Sequence, residues 1–158
     1  MIKTVYLDMD GVVADLNAWY SARYGIIPRE DPNYHINWAE AVHDGMFKKL
    51  PFLEDSRELV YRLMNSGVEI KMLSCATKAN FDIVSEHKTE WLKEHGLSKF
   101  PATYTKSKAD KGLHATADAV LIDDSPACFK AFVEGGGKGI LHKTGAETIK
   151  QLEEMGVL

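Results

Sequence analysis

The chain has 158 residues, 45% of them hydrophobic and 27% charged, and a net charge of −4. That is the size of one domain, large enough to bury a core without a disulfide or zinc staple, and it carries no basic surplus for duplex nucleic acid. No apolar run nears the ~20 residues that span a bilayer, and Cys75 and Cys128 form no CxxC pair, as expected of reduced thiols in a cytoplasm.

Met1–Thr4 runs straight into a strand pattern, without the apolar region of a signal peptide, which predicts a cytoplasmic protein away from the membrane. Lys3–Leu7 reads as the first strand. Residues 17–52 hold no strand pattern and are rich in aromatics, among them Trp19, Tyr20, Tyr34, Trp38 and Phe47, so they are expected to form a small helical cap inserted into a core of 1–16 and 53–158. Leu59, Val60, Leu63 and Met64 share a helical face behind a capping-box-like Asp55-x-x-Glu58. Val68–Leu73 alternates as a second strand. Phe81, Val84, Trp91 and Leu92 mark a longer helix ending before Gly96. Ala102–Thr105 is a weak third strand, and Ser107-x-x-Asp110 suits the start of a short helix. Ala119–Ile122 is a continuous apolar run, the pattern of a strand covered on both faces. Ser125-Pro126 opens a helix that Gly135 closes. Gly139–Leu141 is a fifth strand, and Thr144-x-x-Glu147 starts the last helix. This alternation predicts an α/β protein with a parallel sheet of about five strands between helical layers.

In such sheets ligands bind beyond the carboxyl ends of the strands. Asp8, Asp10 and Gly11 follow the first strand, Ser74 and Cys75 end the second, Lys106 and Lys108 follow the third, and Asp123 and Asp124 end the fourth. Four carboxylates at one edge repel, and a hard divalent cation such as Mg²⁺ relieves that. Each piece alone has a structural reading: Asp-Gly is a common turn, and Asp124 or Ser125 suits a helix N-cap. Together, each behind an apolar strand, they indicate a site.

Asp8-Met9-Asp10-Gly11-Val12-Val13-Ala14-Asp15 resembles motif I of the haloacid dehalogenase (HAD) superfamily, and Leu121-Ile122-Asp123-Asp124 resembles its motif IV. The longer motif I string, Lys88-x-x-Trp91 and Thr105-Lys106-Ser107-Lys108 are similar to the 5′(3′)-deoxyribonucleotidase branch. The resemblance implies a HAD-like Rossmannoid three-layer fold and a Mg²⁺-dependent phosphomonoesterase for (deoxy)nucleoside monophosphates. Asp8 would be the nucleophile and Asp10 the general acid and base, with its backbone carbonyl facing the metal. Ser74 would bind phosphoryl oxygens, and Asp123 and Asp124 would complete a metal set with Asp8 and Asp10. Lys108 is the best match for motif III, with Lys106 and Lys111 also within reach and Lys111 expected to be solvated. Gly11, Cys75 and Lys106 would border the substrate. Lys88 either contacts phosphate or decorates an exposed helix face. Trp19, Phe47, Tyr20 or Trp38 would stack on a base, the remaining aromatics forming a mini-core. Motif II departs from the branch, since Ser74-Cys75-Ala76 stands where Thr-Ser-Pro is usual, which puts substrate choice in question. The alternatives are a HAD phosphatase for another small phosphate ester and a non-catalytic nucleotide-binding protein; a homodimer is compatible with so small a cap.

Competing chemistries fail on spacing. A cysteine phosphatase needs Cys-x5-Arg, but Phe81 and Glu134 occupy the arginine positions after Cys75 and Cys128. Gly135-Gly136-Gly137-Lys138-Gly139 lacks the GxxxxGK[ST] order and falls between a helix and a strand, so it reads as a turn. His142, at a strand end, reads as a structural histidine that borders the cleft at most.

Overall fold

In a computed structural model describing residues 1–158, five parallel strands form one sheet: β1 (Thr4–Leu7), β2 (Glu69–Cys75), β3 (Ala102–Thr105), β4 (Ala119–Asp123) and β5 (Lys138–Leu141), in the spatial order β3-β2-β1-β4-β5. The alternation of strands and helices in the sequence is what such a sheet requires, because parallel neighbours need crossover helices. β4 is buried at all five positions, as its unbroken apolar run predicts. The order reverses around β1, which lies between β2 and β4 with Leu7 level with Met72 on one side and Ile122 on the other. The crevice at such a switch point is where α/β sheets place ligands, and the residues that follow Leu7 and Ile122 are Asp8 and Asp123.

Four helices lie between the later strands or after them. α4 (Arg57–Met64) precedes β2, α5 (Phe81–Glu94) joins β2 to β3, α6 (Pro126–Glu134) joins β4 to β5, and α7 (Gly145–Glu154) closes the chain. Their caps follow the sequence in most places. Ser125 Oγ accepts from the Cys128 amide, Thr144 Oγ1 accepts from the Glu147 amide, and Gly96 takes φ +74° just past α5. The glycine-rich stretch before β5 is a helix-to-strand turn. One expected cap does not form. Asp55 accepts from the Gly145 amide at 2.7 Å, not from its own helix, and Gly145 has no room for a Cβ because Asp55 O would lie 2.2 Å away. Asp55 therefore ties α4 to α7 across a gap of 90 residues. Met64, expected to face inward, is exposed.

Between β1 and α4 the chain makes the helical insertion: α1 (Leu16–Tyr24), a 3-10 turn (Pro28–Glu30), α2 (Tyr34–His43) and the short α3 (Met46–Lys49). It leaves and re-enters the core at a paired stem, where the Asp15 amide donates to Pro51 O at 2.8 Å and the Leu53 amide to Val13 O at 2.7 Å. Tyr20 is fully buried, and its hydroxyl donates to Asp31, which also accepts from Asn37 Nδ2. Around it the rings of Tyr24, Tyr34, Trp38 and Phe47 pack in tilted and edge-on contacts, an apolar arrangement typical of aromatic clusters. Buried residues of the insertion and of one face of the sheet form one continuous cluster of 27, while Leu73, Ala119 and Leu121 on the other face pack with Cys128 and Phe132 of α6. Trp91 of α5 bridges the insertion and the sheet, stacked on Phe52 and donating its indole N–H to Leu50 O at 2.7 Å. No helix is long and apolar enough to cross a membrane.

Candidate active site

The carboxyl ends of β1 and β4, the turn after β2 and the insertion enclose a cleft of about 970 Å³. Asp8, Asp10, Gly11, Cys75, Phe47, Lys108, Asp123 and Asp124 all border it. Oxygen atoms of Asp8, Asp123 and Asp124 lie within 4.8 Å of one another. Backbone pairing brings two of these acids together, since the Asp8 amide donates to Ile122 O at 3.0 Å and so sets the two strand ends side by side. Gly11 makes room for the third. It sits at φ +81°, and a Cβ there would lie 2.0 Å from Asp124 Oδ2, so only glycine allows the loop to close over that carboxylate.

A lysine spans the cluster, and it is Lys111. Its ammonium donates to Asp8 Oδ1 at 2.9 Å and Asp123 Oδ2 at 2.6 Å, with 1% of its side chain exposed. The expectation that Lys111 is solvated and Lys108 grips Asp8 is corrected here. The 3-10 helix Ala109–His114 packs against α6 so closely that a Cβ on Gly112 would lie 2.5 Å from Ala131 O. That contact turns Lys111 inward and leaves Lys108 exposed on the cleft wall, without an ion pair. Burial alone would lower the Lys111 pKa, but Asp8 and Asp123 outweigh it and raise it, so the ammonium stays charged.

The remaining charge is still short of cations. Burial, then the Asp8 carboxylate, push Asp123 up to about 6 in spite of Lys111. Asp124 is exposed at the cleft, and desolvation there, then Asp8 and Asp123, push its carboxyl up to about 7. Three oxygen donors converging at this distance, two of them made reluctant to ionise, fit a hard divalent cation, which would hold all three as carboxylates.

Asp10 points elsewhere. Its Oδ2 accepts from Lys88 Nζ at 2.9 Å, while its Oδ1 is buried with no partner in the protein. Burial raises its pKa, with Lys88 opposing that and Asp8 adding to it. Among the carboxylates drawn together for a cation, the Asp10 side chain is therefore absent. Lys88, expected either at the phosphate or on an exposed face, is in neither place. It is 1% exposed, outside the cleft lining, and donates also to Ser74 Oγ at 2.6 Å and Cys75 O at 3.0 Å. Ser74 likewise does not border the cleft. Ile70, Met72 and Ser74 alternate onto one sheet face, and there Ser74 is fully buried beneath Lys88 of α5. Cys75, Ala76 and Thr77 reach the cleft in its stead.

Two further assignments move. Lys106 lies outside the cleft, its ammonium 5.3 Å from the centre of the Phe81 ring. Trp19 does not border the cleft but packs half-buried against the core beside the Arg23 guanidinium, and the aromatic wall is made by Tyr34, Trp38 and Phe47. Two lining features escaped the sequence reading, the cations Arg29 and Lys143 and the backbone of Thr77, whereas His142 was expected at the cleft edge. Arg29 and Lys143 flank the cleft. Thr77 holds φ +61°, which costs a β-branched residue about 1–3 kcal/mol. His142 is 4% exposed at the cleft edge, with Nδ1 bonded to Thr148 Oγ1 at 2.7 Å and Nε2 unpartnered.

No family model matches this chain, and no curated protein matches it either. Solved structures do. A hydrolase from Streptococcus pneumoniae TIGR4 is similar over 96% of this chain and 98% of its own, with a TM-score of 0.61 and 12% identity. A HAD family hydrolase from Deinococcus radiodurans R1, solved with bound phosphate and sodium, is similar over 99% and 97%, with a TM-score of 0.61 and 14% identity. A HAD family enzyme from Bacteroides thetaiotaomicron, in complex with magnesium and inorganic phosphate, matches over 92% and 96%, with a TM-score of 0.54 and 16% identity. The likeness is one of fold: the five-strand α/β architecture is that of HAD-family hydrolases.

Proposed function

We propose that this chain is a Mg²⁺-dependent phosphomonoesterase that works through an aspartyl-phosphate on Asp8. The observation that carries the reading is the convergence of Asp8, Asp123 and Asp124 within 4.8 Å, with Lys111 bridging two of them. The carboxylates of Asp8, Asp123 and Asp124, together with the Asp10 backbone carbonyl, would hold the cation, which supplies charge neutralisation for the phosphoryl group. Lys111 fixes the Asp8 carboxylate and adds a second positive charge beside the reacting oxygen. Asp8 attacks phosphorus as the bond to the leaving oxygen breaks, and Asp10 gives that oxygen its proton. Asp10 then takes a proton from water as the water oxygen attacks phosphorus. The acyl-phosphate bond breaks, inorganic phosphate leaves, and Asp8 is restored.

The substrate we propose is a (deoxy)nucleoside monophosphate. A cleft of about 970 Å³ accommodates a ligand of that size. Its wall of Tyr34, Trp38 and Phe47 offers flat apolar faces to a base. A second reading is favoured by Arg29, Lys108 and Lys143, three cations that border the cleft and make no ion pair. They suit a small ester with a further anionic group. Phosphate release from p-nitrophenyl phosphate, nucleoside monophosphates and sugar phosphates, with Mg²⁺ or EDTA, separates these readings. Turnover that needs Mg²⁺ and disappears in Asp8→Asn is the expected result. Absence of Mg²⁺-dependent turnover on every ester would remove the proposal.

A further inference from the structure

Lys88 is as deeply buried as Lys111, and the proposed reaction gives it no part. A lysine ammonium has three donors, and here each has an acceptor: Asp10 Oδ2 at 2.9 Å, Ser74 Oγ at 2.6 Å and Cys75 O at 3.0 Å. None is left for a phosphoryl oxygen. The Phe47 ring covers the ammonium, its centre 4.8 Å from Nζ. The ammonium is thus held in one place by the end of β2 and sealed by α3 of the insertion. Asp10 feels the result asymmetrically. One oxygen faces a fixed positive charge, and the other, Oδ1, is buried without a partner in a residue that borders the cleft.

We infer that Lys88 is a positioning residue that orients Asp10, holding its carboxylate by Oδ2 at the border of the cleft so that its transferable proton meets the leaving oxygen. This rests on the phosphatase reading above. As the phosphorus–oxygen bond breaks, that proton passes to the leaving oxygen. Asp10 is left as a carboxylate already paired with Lys88, and no group must reorganise to receive the new charge. Phe47 keeps water from the ammonium, which makes the seat of the acid depend on the insertion.

The leaving-group dependence of kcat/KM across aryl phosphates tests this, because a strongly acidic phenol departs without help while a weakly acidic one needs the proton. Wild type, Lys88→Met, Asp10→Asn and the double variant are compared with Mg²⁺ present. In Lys88→Met, phenyl phosphate should lose about 100-fold more than p-nitrophenyl phosphate, within the range that general acids contribute. The double variant should show no steeper dependence than Asp10→Asn alone, since both changes remove one device. Lys88→Gln, which keeps length and a neutral donor for Oδ2, should fall between wild type and Met, and it carries the comparison if loss of the buried cation unfolds the Met variant. An equal loss on every ester, or losses that multiply in the double variant, would overturn the assignment while leaving the phosphatase reading in place. No Mg²⁺-dependent turnover by wild type on any aryl phosphate would remove both.

Discussion

At the scale of single residues, two lysines decide how the carboxylates behave. Removing Lys111 leaves Asp8 and Asp123 facing each other without the charge between them, a loss that typically costs about 3–5 kcal/mol when one partner of a buried pair goes. Lys111→Met is therefore expected to lower the unfolding midpoint in urea strongly and to abolish turnover, whereas Lys108→Met should change stability by less than about 0.5 kcal/mol, as exposed substitutions do. A second expectation concerns pH. Asp123 and Asp124 are raised from 3.8 to about 6 and about 7. The folded state therefore holds protons that the unfolded chain has already lost. Stability from these groups is complete below about pH 4 and disappears as pH rises through 6 to 7. In EDTA, thermal melts should show stability falling over that window. Mg²⁺ should reverse the trend, adding about 2.7 kcal/mol at a hundredfold excess over its Kd, with the gain growing as the carboxylates ionise. A flat melting temperature from pH 4 to 7 in EDTA would contradict the shifts.

At the scale of elements, strand ends were legible in the sequence and side-chain directions were not. All five strands fall within two residues of the alternation and apolar runs that predict them, and the approach of Asp8 to Asp123 follows from strand ends alone, whereas that of Gly11 to Asp124 depends on the positive φ of its turn. The choice among Lys106, Lys108 and Lys111 depends on which way a 3-10 turn is rotated, and that is set by contact with α6, a partner remote in sequence. Lys88 did leave a trace. It lies with Val84, Trp91 and Leu92 at the spacing of the buried stripe of α5, so a lysine at a core position was the signal. The Asp55 cap failed for the same reason as the lysines, because α7 competes for its carboxylate. Two substitutions probe this level. Gly112→Ala should displace the turn from Ala131 O, cost about 1–3 kcal/mol as overpacking does, and lower kcat more than it raises KM by loosening Lys111. Thr77→Gly should raise stability by relieving the positive φ, a gain of about 1 kcal/mol, read as a higher urea midpoint.

At the scale of the whole molecule, the insertion and the sheet share one buried cluster, with Trp91, Phe52 and Leu50 joining them. They are expected to unfold together, so fluorescence of the tryptophans, of which Trp19 and Trp38 lie in the insertion and Trp91 in α5, should give the same midpoint as far-ultraviolet circular dichroism. An earlier fluorescence transition would mean that the insertion loosens first. The stem has a different kind of consequence. Two backbone hydrogen bonds, Asp15 to Pro51 and Leu53 to Val13, hold the points of departure and return together. The sheet thus meets a fixed doorway whatever is built beyond it, and closing a longer or shorter excursion there changes the entropy only slowly with length. Lineages, or protein engineers, can exchange the segment between those bonds for another recognition element while the acids at the strand ends keep their places. The constraint that any replacement inherits is local: it must bring a ring to cover Lys88 and a carbonyl to receive the Trp91 indole.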